Sequence, residues 1–446
     1  MAAVTHLSNL CFSNGSMETT ARSNQPSMAS SLLVARTIRR KAFPGCRIIG
    51  KWKPLHSRPM STGRTAQTPP SSSLTYPWLM LPPVLESDST TAAYKFYSLG
   101  EKRVVTLTCE GAARELTASC GDVMFFTGSS HGWVGLWNPH THDMFLYNPI
   151  SRRHIKLPPF NDLPNYNLYA DVESASVAKI ILSSSPDDEA CRAVIIYKLD
   201  GMMAFCCPAR PNNTWIPMGD PLGPDDGVNP GGSYIDCVYS PGHGIFFAFT
   251  RYFNLECWDL QDPCSPASTR VADDLSLRGS PQWEPKLTTR LAVMGRDILF
   301  VTPHRADVVD LEGLCWVDSM DYGQIKLKPI PYFLTIDFDV DRYDPKGGDL
   351  VRCFSLGNWA LFVGAFCHAV ALPAAQLPGI RPNTIYFTNM DGIEVFKNVK
   401  LINGNDIGIF DYKKKTVSPC YYPVEVRRLE KIFPAPMWFF PSLASN

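Results

Sequence analysis

From residue 76 onward, short apolar runs alternate with turn-forming residues. Five to eight apolar or β-branched residues run on and then stop at Gly, Pro, Asn or Asp. Examples are RVVTLTC (103–109), GDVMFFTG (121–128), CRAVIIYKL (191–199), MMAFCCP (202–208), YIDCVYS (234–240) and GIFFAFTRYF (244–253). The pattern continues in LAVMGRDILFVTP (291–303), ADVVDL (306–311), WALFVGAF (359–366), NTIYFTN (383–389) and DIGIFDY (406–412). Runs bounded in this way read as strands. Gaps such as Leu199-Asp200-Gly201 and Pro241-Gly242-His243-Gly244 read as hairpin connections.

No 3.6-residue periodicity extends beyond about twelve residues in this region, which predicts an all-β body. A meander this long cannot remain one flat sheet. Radial repetition solves the problem, so the pattern predicts a β-propeller of about six to eight four-stranded blades. Division by the usual blade length favours about seven or eight, fewer if loops are long. The expected organisation is a disordered leader and linker over 1–75, a propeller over 76–440 and a short tail over 441–446. WALFVGAFCHAVALPAAQL (359–377) approaches the length of a membrane span, but His368 and Pro373 interrupt it. It predicts two buried strands and a connecting turn, not a membrane helix.

Charge changes the picture at the N-terminus. The chain has 42 Lys/Arg and 42 Asp/Glu, but residues 1–70 hold ten bases and one acid, Glu18. The rest therefore carries 42 − 10 = 32 bases and 42 − 1 = 41 acids, about −9. That body lacks the basic surplus of a non-specific nucleic-acid binder, and no nucleic-acid partner is expected. The leader has the composition of an organelle transit peptide and lacks the apolar core of a secretory signal. In MASSLLVARTIRRKAF, from Met28, a 100° wheel puts Val34, Ala35, Ile38 and Ala42 on one face and Arg36, Arg39 and Arg40 opposite. Leu32 and Phe43 fall off the apolar face. The arginines favour the mitochondrion, with the chloroplast as alternative, and translation from Met28 is expected to give the better import signal. Of 14 cysteines two lie in the leader and none forms a CxxC pair, so free and mostly buried thiols in a reducing compartment are expected.

Candidate chemistry concentrates in HGWVGLWNPHTHDMFLYNPISRRHIKLPP (131–159), which holds four of the nine histidines: His131, His140, His142 and His154. It reads as most of one blade. HGWVGLWN is its first strand, DMFLYN its second and HIKLPP its third. Asn138 and Asn148 each precede a proline and end a strand through side-chain hydrogen bonds. His140-x-His142 would need a third ligand to hold zinc, and His131 and His154 are not beside it. Arg152 and Arg153 suit an anion or a salt bridge to the next blade. TIDFDVDRYD (335–344) alternates Asp337, Asp339 and Asp341. Arg342 and Gly348 stand where a calcium loop needs Gly and Glu, so it reads as a strand with Phe338 and Val340 inward. Nucleotide-binding, hydrolase and zinc-protease signatures are missing, and GPDDGVNPGGS (223–233) has no following lysine to make a phosphate cradle.

GSSHGWVGLWNPHTHDMFLYNPISRRHIKLPP closely resembles the signature of a plant family, the domain of unknown function 295, or KIB-type β-propeller. YPWLMLPP (76–83) resembles its opening, and LPGIRPNTIYFTN (377–389) and DIGIFDYKKKTVSPCYYP (406–423) its closing segments. The resemblance implies a propeller over roughly 76–440. Many relatives carry an F-box bundle in front and resemble ubiquitin-ligase substrate receptors. Here LPPVLES (81–87) faintly resembles an F-box start but runs straight into strand-like KFYSL, with no helical unit before it. That role is therefore not carried over, and the chain looks like the organellar branch without an F-box.

The expected protein is thus a monomeric, non-enzymatic interaction module inside an organelle, with an unknown protein partner. No catalytic, cofactor-binding or metal residues are assigned, and no cofactor is expected. The rivals are an F-box-independent adaptor in cytosol or nucleus, and an organellar enzyme with its site at the propeller mouth. A cluster of carboxylates or histidines at the central channel favours the enzyme.

Overall fold

AVIIY at 193–197 is buried at every position, because both faces of this strand are covered. Ala193, Ile195 and Tyr197 pack into one hydrophobic cluster, and Val194 and Ile196 into the next. A strand sandwiched between neighbouring sheets reads as a continuous apolar run, where a half-exposed one alternates. The same arrangement recurs around the whole molecule.

The computed structural model describes residues 77–81, 84–85, 91–110, 125–138, 141–163, 177–197, 201–219, 234–273, 275, 288–307, 333–364, 367–390, 406–421 and 436–441. The chain divides into two compact units, Met1–Gly45 and Cys46–Asn446, and all described residues fall in the second. The expected leader lies outside the described residues.

Blade one begins with β1 (Trp78–Met80), β2 (Val84–Leu85), β3 (Thr91–Ser98) and β4 (Arg103–Glu110). β1 and β2 share one edge of β3, and β4 pairs the other. Blade two is β5 (Phe125–Ser130), β6 (Trp133–Trp137), β7 (Met144–Asn148) and β8 (Arg153–Leu157). Blade three is β9 (Val177–Leu182), β10 (Ala193–Tyr197), β11 (Met202–Cys206) and β12 (Ile216–Met218). Blade four is β13 (Tyr234–Ser240), β14 (Ile245–Thr250), β15 (Leu255–Asp259) and β16 (Ala267–Ala272). Blade five is β17 (Arg290–Met294), β18 (Asp297–Asp307), β19 (Phe333–Asp344) and β20 (Asp349–Arg352). Blades two to five are antiparallel meanders in sequence order.

Blade six contains β21 (Trp359–Val363), β22 (Val370–Pro373), β23 (Thr384–Phe387), β24 (Gly408–Asp411) and β25 (Thr416–Pro419). Its spatial order is β22-β21-β23-β24-β25, with β21 and β23 parallel. β22 also touches β17 at Val293↔Val370. β26 (Met437–Phe439) returns to pair with β1, so blade one takes strands from both ends of the described chain. Backbone hydrogen bonds between β26 and β1 therefore close the ring.

Six hydrophobic clusters fill the six junctions between consecutive blades. Phe249 meets Phe300 edge-on at 5.0 Å between blades four and five, and Phe362 meets Trp438 at 5.3 Å between blades six and one. At about 1.5–3 kcal/mol for each fully buried large side chain, these contacts dominate the stability of the ring. Outer strands face water instead, as RHIKL of β8 and ASTRVA of β16 do.

The described residues thus form a six-bladed all-β propeller, at the lower end of the range read from the sequence. Three expectations change in detail. The segment 131–159 supplies strands two to four of its blade, because FFTGSS of β5, small and partly polar, takes the innermost place. β18 runs unbroken into Asp307, and the rest of the strand expected over 306–311 lies outside the described residues. Blade six has five strands where four were expected, because the chain doubles back at β22 before crossing β21 to reach β23. The apolar run 359–377 forms the expected pair of strands, β21 and β22. No described helix is long and apolar enough to cross a membrane.

Candidate functional site

Strands β5, β9, β13, β17 and β26 form the inner edge of their blades, each against its neighbour. Two charges interrupt the apolar pattern inside these strands, Lys179 in VAKIIL and Asp236 in YIDCVYS, and a third, Arg290, begins β17. Pairing satisfies the first two. Lys179 Nζ lies 2.6 Å from Asp236 Oδ1, with both side chains almost wholly buried. Asp236 also accepts the N–H groups of Cys237 (2.9 Å) and Leu291 (2.8 Å). One carboxylate therefore ties blades three, four and five together. Desolvating an ion pair costs several kcal/mol per ion, and those two backbone donors help to offset it.

Arg290, on β17, extends the cluster toward blade six. Its guanidinium donates to Met390 O at 2.6 Å and to Thr289 O at 3.1 Å. The segment between β21 and β22 then carries Cys367 and His368 to the axis. The His368 N–H donates to Ser129 O at 3.1 Å, and so joins blade six to blade two. Ser130 Oγ lies 3.0 Å from His131 Nδ1 and 3.5 Å from His368 Nδ1, and it accepts the Leu182 N–H at 3.3 Å. His131 and Gly132 form the two-residue turn between β5 and β6, with φ of 52° and 78°. Two successive positive φ values are the signature of a type I′ hairpin. That turn brings His131 to a centroid distance of 6.1 Å from His368.

Burial holds both imidazoles below their ordinary value, His368 far below, where nearby His131 and Lys179 add to the effect. They are neutral near pH 7 and act through hydrogen bonds. Burial pushes the Cys367 thiol up to about 12, so it is no thiolate nucleophile. A serine between two histidines has the makings of a nucleophile and base. Ser130 is only 2% exposed, however, and its hydroxyl is engaged by two rings and one amide. A pair of histidines thus lies at the axis, and hydrogen bonds through Ser129 and Ser130 tie blades two, three and six together.

The residues weighed in the sequence are dispersed. Successive turns of a meander fall at opposite ends, so His131 and His142 flank opposite ends of β6, and His154 lies on outermost β8. His140 lies outside the described residues. His142 stacks on Phe160 at 6.4 Å. Among the described residues no group of three potential ligands is placed to hold a metal. Arg153 makes a bidentate bridge of 2.6 and 2.8 Å to Asp187 of blade three, the salt-bridge reading of the arginine pair. Phe338 and Val340 are fully buried, as the alternation predicts. The aspartates opposite meet basic side chains. Asp337 pairs with Lys415 at 2.9 Å, Asp339 with His304 at 2.8 Å and with Arg352, and Asp341 with Arg352 at 2.9 Å. Burial raises the Asp339 pKa, but hydrogen bonds from His304 and Arg352 outweigh it and hold the carboxyl below its ordinary value. Nine cysteines with described side chains are free, and six of them are buried.

Sequence reasoning missed the axial cluster. Its one signal was an isolated charge inside an otherwise apolar strand, at Lys179 and Asp236, since such a charge needs a partner. Nothing in either strand names that partner.

The family model of the KIB1-4 beta-propeller matches residues 96–411. No curated protein matches the chain. Among solved structures, U3-55K is 11% identical, with 61% of this chain and 64% of that one covered at a TM-score of 0.28. The Cps50 (Swd1) beta-propeller domain of Myceliophteria thermophila is 9% identical, with 69% and 90% covered at 0.28. Apo AztD from Citrobacter koseri is 10% identical, with 82% and 97% covered at 0.29. Likeness at this level says nothing about function.

Proposed function

Because the chain belongs to the KIB1-4 beta-propeller family, we propose that it is a non-enzymatic protein-interaction module that acts inside an organelle. The observation that carries this reading is the engagement of the axial serine, histidine and charged side chains in ties between blades. Ser130, His131, His368, Lys179 and Asp236 bind one another and the backbone of neighbouring blades. Recognition then falls to loops and the outer rim, where propellers build their binding surfaces. The acidic body and the base-rich leader support import, with the mitochondrion as destination and the organellar branch of the domain of unknown function 295 as the chain's place in its family.

The test fuses residues 1–75 and the full chain separately to a fluorescent protein and images both in plant cells beside mitochondrial and plastid markers. Both fusions are expected in mitochondria. Plastid signal moves the destination only. Diffuse cytosolic or nuclear signal overturns the import reading and favours the adaptor.

A further inference from the structure

Phe354 is 89% exposed, far beyond the next large apolar side chain among the described residues, Val351 at 45%. It stands in the link between β20 and β21, with Val351 three residues before it on the outermost strand of blade five. This link is clamped on both sides of the ring. The Cys353 N–H donates to Val340 O at 2.8 Å, and the Tyr412 hydroxyl donates to Cys353 O at 2.7 Å. On the other side the Leu356 N–H and the Ser355 hydroxyl both donate to Asn383 Oδ1, at 2.7 and 3.3 Å. Leu356 itself is buried in the junction of blades five and six. An apolar ring held out in water on a fixed frame has already lost the conformational freedom that binding otherwise costs.

The exposed charges around this frame are mainly basic, with Asp349 of β20 as an acid beside Val351. Tyr412 is followed by exposed Lys413 and Lys414, and Arg381 is exposed two residues before Asn383. Lys413 makes no ion pair among the described residues, and Lys414 reaches only its own turn, Asp411, at 3.5 Å. Three nearby carboxylates are taken up by cations of the protein itself, Asp337 by Lys415 and Asp339 and Asp341 by Arg352. This basic rim stands on a body of net charge about −9.

We propose that Phe354 and Val351, rimmed by Lys413, Lys414 and Arg381, form a docking surface for a protein segment with an apolar pocket or cluster flanked by Asp and Glu. This rests on the interaction-module reading and names its surface. A buried aromatic anchor within a polar rim is the usual make-up of an interface hot spot.

The probe is a random peptide library displayed on phage, selected against the purified full chain. Enriched peptides are expected to combine acidic and apolar residues. Their binding should fall at least about tenfold in Phe354→Ala. It should fall several-fold in Lys413→Glu/Lys414→Glu, and weaken with added salt. Phe354→Ala removes an exposed ring, and an unchanged thermal melt checks that the fold survives. Enriched peptides that bind Phe354→Ala as well as the parent overturn the surface and leave the module reading standing. Peptides that need Phe354 but carry no acids overturn the charge assignment. If the parent chain enriches no peptide, the docking surface falls and the module reading stands.

Discussion

Lys179 and Asp236, 57 residues apart in sequence, meet at 2.6 Å on facing inner strands, out of reach of solvent. The carboxylate has three donors here, the ammonium and two amides. Removing the carboxylate orphans all three, whereas removing the ammonium strands one charge.

The order of damage follows. Breaking a buried pair from one side costs about 3–5 kcal/mol. Lys179→Met is expected in that range and Asp236→Ala at its upper end or beyond, measured by urea unfolding. A cost below about 1 kcal/mol for either variant contradicts the account of the axis as an inter-blade tie.

A pH dependence comes from the two axial imidazoles, both held below the ordinary value of 6.5. Below that pH the unfolded chain takes up protons that the folded chain refuses. Stability therefore falls on acidification from about pH 6.5 toward the lowered folded values, by at most about 1.4 kcal/mol per pH unit for each group. Urea midpoints between about pH 7.5 and about pH 5.5 measure the slope. His368→Gln should flatten it, and an unchanged slope in that variant would assign the effect elsewhere.

Arg153 and Asp187 are both well exposed. Exposed pairs contribute about 0–1 kcal/mol and weaken with salt. Asp187→Ala is expected to lower stability by no more than that, with the difference shrinking at high ionic strength. A larger, salt-insensitive loss would mean that the bridge orders the junction of blades two and three.

Gly364 begins the segment that carries Cys367 and His368. A Cβ there would lie 2.1 Å from Thr388 Oγ1 and 3.3 Å from Cys367 Sγ. Gly364→Ala must displace one of them, at a cost of about 1–3 kcal/mol. Peptide mapping after brief alkylation should show Cys367 labelled faster than in the parent chain. Equal labelling would show that Thr388 alone gives way.

The turns were legible because their chemistry is local. Asn138 Oδ1 accepts the Thr141 N–H at 3.1 Å, and Asn148 Oδ1 accepts those of Ile150 and Ser151 at 3.0 Å, as an Asn before a turn proline implies. The axial site was not. Ser130 and His368 are 238 residues apart, and His368 drew notice only as a break in an apolar run. Phe354 gave no signal either, since one Phe in CFSLGNW looks the same whether it is buried or held out in water.

By itself the sequence determined the strands, their turns and the all-β class, because backbone conformation follows from side-chain branching, alternation and turn residues within a few positions. It also carried the family signature. Tertiary structure alone decided the six blades, the shift of 131–159 one strand outward, the doubling back of β22 and the partners of Lys179, Asp236 and His368. These depend on which faces meet once the ring closes. An inner strand's polar residue finds its partner on another blade, and the local pattern of neither strand encodes that meeting.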